Sequence, residues 1–168
     1  MEILTYPDGA LSTDWTHPKW FIDNDELKDP AFKHLIDCMT EEMYLMKALG
    51  LAANQLGEPA PIFVIDMDGD PFVAINPSIA MLENMENVEE ACLSLPGISA
   101  KVSRAKRVRL IYISPEGQKC AKLFEGQQAQ AVQHEMDHLL GKLYWDHLSS
   151  MKRSMLKRRF NKIHKHKT

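Results

Sequence analysis

The sequence lacks any apolar run of the roughly 18 residues that a membrane-spanning helix requires. Its first residues, MEILTYPDGALSTDW, contain neither the basic segment nor the apolar segment of a secretory signal. It also lacks internal repeats, low-complexity runs and a linker long enough to separate two domains. These absences argue against membrane-spanning, fibrous and disordered classes. They predict one globular domain in the cytoplasm with no membrane partner, and 168 residues are enough to form its core.

Cysteine is scarce, and Cys38, Cys92 and Cys120 cannot all pair within one chain. Without an export signal, reduced thiols are expected. Cys38 lies near the apolar face of a predicted helix and Cys120 lies in a predicted strand, so both are expected to be structural. Cys92, in the stretch VEEACLSLPG, would also be a core residue unless another feature of the chain requires its thiolate.

Acidic residues are absent from positions 147–168, although that segment contains eight Lys and Arg residues. The other 146 residues carry 12 Lys and Arg against 23 Asp and Glu, a net charge of −11. Apolar residues recur at helical spacing in this tail, which predicts a basic C-terminal helix. Three roles stay open for it: a solvated helix held by the acidic body, contact with a polyanion such as RNA, and binding to a membrane surface.

Apolar periodicity predicts an α+β fold. A helix is expected over residues 31–46, where apolar side chains repeat on one face. The runs IFVIDM and FVAINPSI, joined by DGDP, predict a β-hairpin. Residues 107–113 and 119–124, joined by SPEGQ, predict a second antiparallel pair. The expected architecture is mainly antiparallel strands packed around a central helix, with an N-terminal helix and the basic C-terminal helix.

The predicted central helix runs from Gly126 to Leu143, and its apolar residues fall on one face. His134 and His138 point to a different side, beside the small residues Ala131 and Gly141. Small residues at this position predict a second buried face that another backbone approaches closely.

His134 and His138 flank Glu135 in the pattern HExxH. Two imidazoles at i and i+4 can chelate one metal ion, and the glutamate between them can transfer a proton. The alternative is a helix whose histidines only form hydrogen bonds. A downstream third ligand is missing, because Tyr144 occupies the last position of HExxHxxGxxH and Glu135 is the last Glu. The third ligand is therefore expected upstream, where Cys92 is the outstanding thiol.

Three segments, GLAANQ at 50–55, EACLSLPG at 90–97 and QHEMDHLLG at 133–141, resemble the three motifs of peptide deformylases, GxGLAAxQ, EGCLS and QHExDHLxG. Order and spacing match, and flanking likeness runs from ILTYPD to YWDHLS. The resemblance implies an antiparallel α+β fold around a central helix and removal of formyl from N-formylmethionyl peptides. It also implies one divalent ion, Fe²⁺ in the cell, that Zn²⁺, Ni²⁺ or Co²⁺ can replace. Residues 1–147 would form the catalytic part, and 148–168 the basic helical tail of the same domain.

The resemblance also assigns roles to individual residues. Glu135 would be the general base and acid, and Gln55 and the backbone N–H of Leu93 would stabilise the oxyanion. The metal ligands would be Cys92, His134 and His138. The expected substrate-binding positions are Leu49, Gly50, Val88, Glu90 and Gln127.

Four residues depart from the family pattern. Ala48 and Ala91 replace motif glycines, so a positive φ at either position would cost free energy and shift Cys92 or Leu93. Gln127 and Gln128 stand where aliphatic residues are usual. Helical geometry places Gln127 close to the His134 to His138 stripe, so its amide is expected in the pocket for the methionine side chain.

Other functions stay open at this stage. They are a metal-dependent hydrolase of another amide, a non-enzymatic ribosome- or RNA-binding protein, and a cysteine hydrolase that pairs Cys92 with His134. Family resemblance further implies that the basic C-terminal helix can dock at the ribosome.

Overall fold

The computed structural model describes residues 2–165, so Lys167 of the basic tail lies outside the described residues. Five antiparallel strands form one sheet in the order β1-β2-β3-β4-β5. The expected α+β class is confirmed. The helices and strands are α1 (Pro30–Leu45), β1 (Gly50–Ala52), β2 (Ile62–Met67), β3 (Asp70–Ala91), β4 (Ser99–Ile113), β5 (Lys119–Glu125), α2 (Gly126–Leu139) and α3 (Ser150–His164).

The β2–β3 hairpin forms where the sequence predicts it, with Met67 opposite Asp70. The expected strand 72–79 is too short, however, because β3 continues to Ala91. Its first part pairs with β2 and its longer second part pairs with β4, with register shifts between Ile75 and Met81. The extension carries the chain to Cys92, which directly follows the strand.

β2 separates two apolar layers because its side chains alternate between the two faces of the sheet. Phe63 and Ile65 pack with α2, whereas Ile62 and Val64 pack with α1. All four side chains are fully buried. At roughly 1.5–3 kcal/mol for each buried side chain of this size, these contacts fix both helices against the sheet.

α2 ends at Leu139, so the prediction that the helix continues to Leu143 is wrong. The cause is Gly141, which has a φ of +69° and terminates the helix as left-handed residues commonly do. A Cβ atom at this position would lie 2.8 Å from the backbone carbon of Ser12. Another backbone does approach closely, as expected, but it approaches the turn after α2 instead of the helix itself.

Gln133 and Asp137 are buried polar residues of α2. The Gln133 amide bonds both the N–H and the C=O of Ala105 on β4, at 2.9 and 2.8 Å. The Asp137 carboxylate pairs with Arg104 on the same strand. The helix is thus held to β4 by polar contacts as well as by its apolar face.

α3 packs back on the body through Phe160, which is buried in a cluster with Cys92, Leu95, Tyr144 and Trp145. Met151 and Met155 are 70% and 59% exposed on the outer side of the helix. The tail is therefore attached to the same core as the site. Every helix within residues 2–165 is too short or too polar to span a bilayer.

Candidate metal and active site

Three chain segments meet at one cavity of about 450 Å³, here called the site cavity. The loop before β1 and the turn after it form one wall, the end of β3 forms the second, and α2 forms the third. Each segment contains one of the three motifs that the sequence singles out. The residues around the cavity include Lys47, Leu49, Gly50, Gln55, Glu90, Cys92, Leu93, Gln127, His134 and Glu135.

Cys92, His134 and His138 each present one donor atom, and the three atoms lie within 4.8 Å of one another. Within residues 2–165, this is the single group of three or more Cys, His, Asp or Glu donors so placed. The Cys92 Sγ atom lies 3.2 Å from Nε2 of His138. One thiolate and two imidazoles suit Fe²⁺, Zn²⁺, Co²⁺ or Ni²⁺, so the residues fit the metal that the sequence predicts.

A hydrogen bond from Nδ1 of His134 fixes the orientation of its ring. Its Nδ1 atom lies 2.9 Å from a carboxylate oxygen of Glu90. Since a carboxylate accepts, Nδ1 carries the proton and Nε2 keeps its lone pair for a metal. Glu90 is one of the expected substrate-binding residues, but its carboxylate is occupied by His134 and Arg104. Both carboxylate oxygens of Glu90 thus have partners, and one of them orients the His134 ring.

Cys92 and Glu135 are among the ionisable groups at the site whose pKa values are strongly shifted. Burial would raise the pKa of the Cys92 thiol, but the nearby His138 and His134 hold it well below its ordinary value, which favours the thiolate. Burial raises the pKa of Glu135 to about 7, against the lowering effect of the two histidines. The Glu135 Oε2 atom is buried and has no hydrogen-bond partner within the described residues.

The Gln55 amide has a defined orientation. Its Oε1 accepts the backbone N–H of Ala52 at 2.9 Å, so Nε2 must point the other way. Nε2 donates to the Ser94 hydroxyl at 3.2 Å and lies 3.9 Å from the Cys92 sulfur. Gln55 therefore presents an amide donor beside Cys92, one of the three metal-ligand candidates. Ser94 carries no signal in the sequence analysis, because a serine near a motif is common.

Residue 50 must be glycine because a larger side chain would collide with Glu135, a contact that the sequence alone does not reveal. A Cβ atom at residue 50 would lie 2.5 Å from a carboxylate oxygen of Glu135 and 2.9 Å from its Cγ and Cδ atoms. The Glu135 side chain therefore occupies the space that a side chain at residue 50 would need. This contact is enough to explain why residue 50 is glycine, without the expected contact between Gly50 and a peptide.

The substitutions at two motif glycines are accommodated without strain. Neither Ala48 nor Ala91 has a positive φ. Lys47, the residue before Ala48, has a φ of +54° instead. The shift of Cys92 or Leu93 was expected only if Ala48 or Ala91 had a positive φ, so there is no longer a reason to expect it.

The remaining expected pocket residues divide into two groups. Leu49 and Gln127 line the site cavity, and both are exposed. Val88 packs instead against the cluster that contains Phe160 and Trp145. It lies opposite the buried Val102 in the β3–β4 register, which directs both side chains into that cluster. This packing gives no support to the expectation that Val88 lines the methionine pocket, which stays a prediction.

Arg104 has no role predicted from the sequence, yet its side chain is only 4% exposed and contacts two carboxylates. The segment SRAKRVRL contains three arginines, and nothing local distinguishes the buried one from Arg107 and Arg109. Asp137 pairs with Arg104 and with His147, whose side chain is partly exposed. Arginine burial here depends on partners supplied by β3 and α2.

Comparisons with known proteins agree with the fold and with the motifs. The family model described as polypeptide deformylase matches residues 1–154. Peptide deformylase 2 of Xanthomonas campestris is 39% identical over 169 residues, covering 99% of this chain and 97% of that protein. A peptide deformylase of Stenotrophomonas maltophilia is 39% identical over 170 residues, with 99% and 97% covered.

Solved structures show the same relationship in three dimensions. A peptide deformylase from Legionella pneumophila has a TM-score of 0.85 at 34% identity, covering 98% of this chain and 95% of that one. Peptide deformylase 1B of Arabidopsis thaliana, solved in complex with an inhibitor, has a TM-score of 0.85 at 29% identity, with 98% and 91% covered. This chain therefore belongs to the polypeptide deformylase family, metal-dependent hydrolases that remove the N-formyl group from nascent peptides.

Proposed function

We propose that deformylation by this chain takes place in the site cavity, with Cys92, His134 and His138 holding one divalent ion. The observation that carries the proposal is the convergence of these three donor atoms within 4.8 Å. Fe²⁺ is the proposed native ion, and Zn²⁺, Ni²⁺ and Co²⁺ are accepted by the same nitrogen and sulfur donors. When bound, the ion supplies Lewis acidity that lowers the pKa of water and polarises a carbonyl oxygen.

Glu135 is the proposed general base and acid. It lines the cavity between the two histidines, and its buried Oε2 has no other partner among residues 2–165. Its carboxylate takes the proton of the attacking water and then gives it to the departing amine. The formyl C–N bond breaks, and the products are formate and a peptide with a free N-terminus.

Gln55 and Leu93 are the proposed donors to the developing charge on the formyl oxygen. The support for Gln55 is the fixed direction of its amide, since Oε1 is occupied by the Ala52 N–H. Leu93 lies in the turn immediately after Cys92, where its backbone N–H is outside the β-ladder. Such neutral donors each contribute about 2.7–4 kcal/mol to transition-state stabilisation.

The proposed substrate is an N-formylmethionyl peptide bound as an added strand. β1 is at the edge of the sheet and, among the described strands, pairs with β2 alone, so its other edge is open beside the cavity. Leu49 and Leu93 are the proposed apolar wall for the methionine side chain, and Gln127 adds an amide to that wall. Gly50 contributes by leaving room for Glu135.

A role for α3 at the ribosome is proposed separately. Lys152, Arg158 and Arg159 are exposed on α3, and their charge suits the phosphates of RNA. We accordingly assign residues 1–147 to catalysis and 148–168 to docking, and place the enzyme in the cytoplasm where nascent chains emerge. Because Phe160 is part of the core, charge substitutions test this role better than removal of the helix.

The proposal is tested by formate release from formyl-Met-Ala-Ser under anaerobic conditions, with metal content measured on the same sample. Acetyl-Met-Ala-Ser serves as the control for a hydrolase of other amides. Glu135→Gln is expected to keep the metal and to lose at least the 10²- to 10⁴-fold typical of general acid–base catalysis. Turnover close to that of the wild type would show that Glu135 does not transfer the proton.

A further inference from the structure

Four side chains connect the metal-ligand candidate His134 to the surface near the start of α3. Glu90 lies 2.9 Å from Nδ1 of His134, and Arg104 contacts Glu90 with two nitrogens at 2.6 and 3.0 Å. Arg104 also contacts Asp137 at 2.7 Å, and Asp137 lies 2.6 Å from Nε2 of His147. The hydrogen bonds therefore run without a gap from His134 to His147.

Donors and acceptors alternate along these contacts, and Arg104 Nη1 also lies 3.3 Å from Nε2 of His147 because both nitrogens face the same Asp137 oxygen. Both carboxylates accept, so His134 donates from Nδ1 and His147 donates from Nε2. One oxygen of Glu90 receives both His134 and Arg104, and one oxygen of Asp137 receives both Arg104 and His147. Each carboxylate thus has an imidazole on one side and the same guanidinium on the other.

The contacts join elements that are far apart in the sequence. Glu90 comes from β3, Arg104 from β4, His134 and Asp137 from α2, and His147 from the short helix Tyr144–His147. The inner members are nearly inaccessible, whereas the His147 side chain is 34% exposed. Because a guanidinium is planar and rigid, displacement of Asp137 moves the group that holds Glu90.

We propose that Arg104, Asp137 and His147 are positioning residues for His134, and that His147 strengthens divalent-ion binding without contacting a ligand. The inference rests on the proposed metal site. Groups that accept a hydrogen bond from the non-ligating ring nitrogen of a metal-bound histidine typically contribute 10- to 100-fold in metal affinity. His147 acts at the far end of the chain, so its loss should weaken Zn²⁺ binding by roughly 10-fold, the lower end of that range.

The test measures Zn²⁺ affinity by equilibrating the zinc-loaded protein with graded concentrations of a competing chelator. His147→Ala leaves Asp137 paired with Arg104, so the protein should still fold. His147→Gln can restore one N–H donor to Asp137 and should recover part of the lost affinity. Arg153→Gln is the matched control, because it removes a nearby ion pair with Asp146 that is outside the chain of contacts.

A double-mutant cycle separates positioning from general destabilisation. If His147 acts through Glu90, then His147→Ala should cause no further loss of Zn²⁺ affinity in a Glu90→Gln protein. Unchanged affinity in His147→Ala, or equal losses in both backgrounds, would overturn the inference while leaving the metal site intact. A wild-type protein that binds no Zn²⁺ would overturn the metal site and the inference together.

Discussion

Replacing Gly50 by alanine places a methyl group against the proposed general base. The new Cβ would lie 2.9 Å from the Cγ and Cδ atoms of Glu135 and 2.5 Å from an oxygen. Carbon atoms prefer separations of about 3.5–4.0 Å, so the carboxylate must retreat by roughly 0.6 Å or more. Gly50 is not itself assigned to the chemistry, which makes the substitution a test of geometry.

The expected cost follows from the sensitivity of catalysis to position. A misplacement of about 1 Å can lower a rate by 10²-fold, so a shift of this size should lower kcat/KM by about 30- to 100-fold. In free energy this is about 2 to 2.7 kcal/mol of transition-state stabilisation. Metal content should be unchanged, because the three atoms nearest to the new Cβ all belong to Glu135 and not to Cys92, His134 or His138.

The assay is formate release from formyl-Met-Ala-Ser, with metal content and thermal unfolding measured on the same preparations. Gly9→Ala is the control, since a Cβ there meets no atom within 4 Å and the residue has no positive φ. It should retain wild-type activity. If Gly50→Ala stays within twofold of wild type while folded and metal-loaded, the close contact with Glu135 does not constrain catalysis and the reasoning fails.

Three further outcomes are expected. Cys92→Ala should abolish stoichiometric metal, measured by elemental analysis, and full occupancy in that variant would exclude the thiolate as a ligand. Gln127→Leu should raise kcat/KM for formyl-Met peptides relative to peptides with a less apolar first residue, because a bound methionine side chain would cover the exposed Gln127 amide, and an amide buried without a partner costs about 1–3 kcal/mol; an unchanged ratio would place Gln127 outside the methionine pocket. Arg158→Glu with Arg159→Glu should weaken salt-sensitive cosedimentation with ribosomes while sparing peptide activity, and equal cosedimentation would argue against docking through α3.

The local features of the site are readable in the sequence because they depend on short-range geometry. Residues four apart on a helix lie on one face, so His134 and His138 converge in any fold that keeps α2 helical. The usual downstream residues cannot supply a third metal ligand, so the ligand is expected upstream, where Cys92 is the outstanding thiol. The β2–β3 hairpin is similarly local, because the DGDP turn fixes its register.

Helix and strand limits were less predictable because they depend on contacts made elsewhere in the chain. α2 stops before Leu143 because Gly141 turns left-handed where Ser12 approaches it. β3 extends past Ile79 because β4 supplies hydrogen-bond partners as far as Ala91. The residue pattern of one segment does not show which other strand will pair with it, or how far the pairing will extend.

By itself, the sequence determined the fold class, the family motifs and the residue types able to bind a metal. Only the tertiary structure decided that Glu90 supports His134, that Val88 packs into the core and that Gly50 leaves room for Glu135. It also decided which of three arginines is buried, because Arg104 is stable there only with carboxylates on both sides. Those pairings arise from the register of β3 on β4 and from the position of α2, and neither has a local signal.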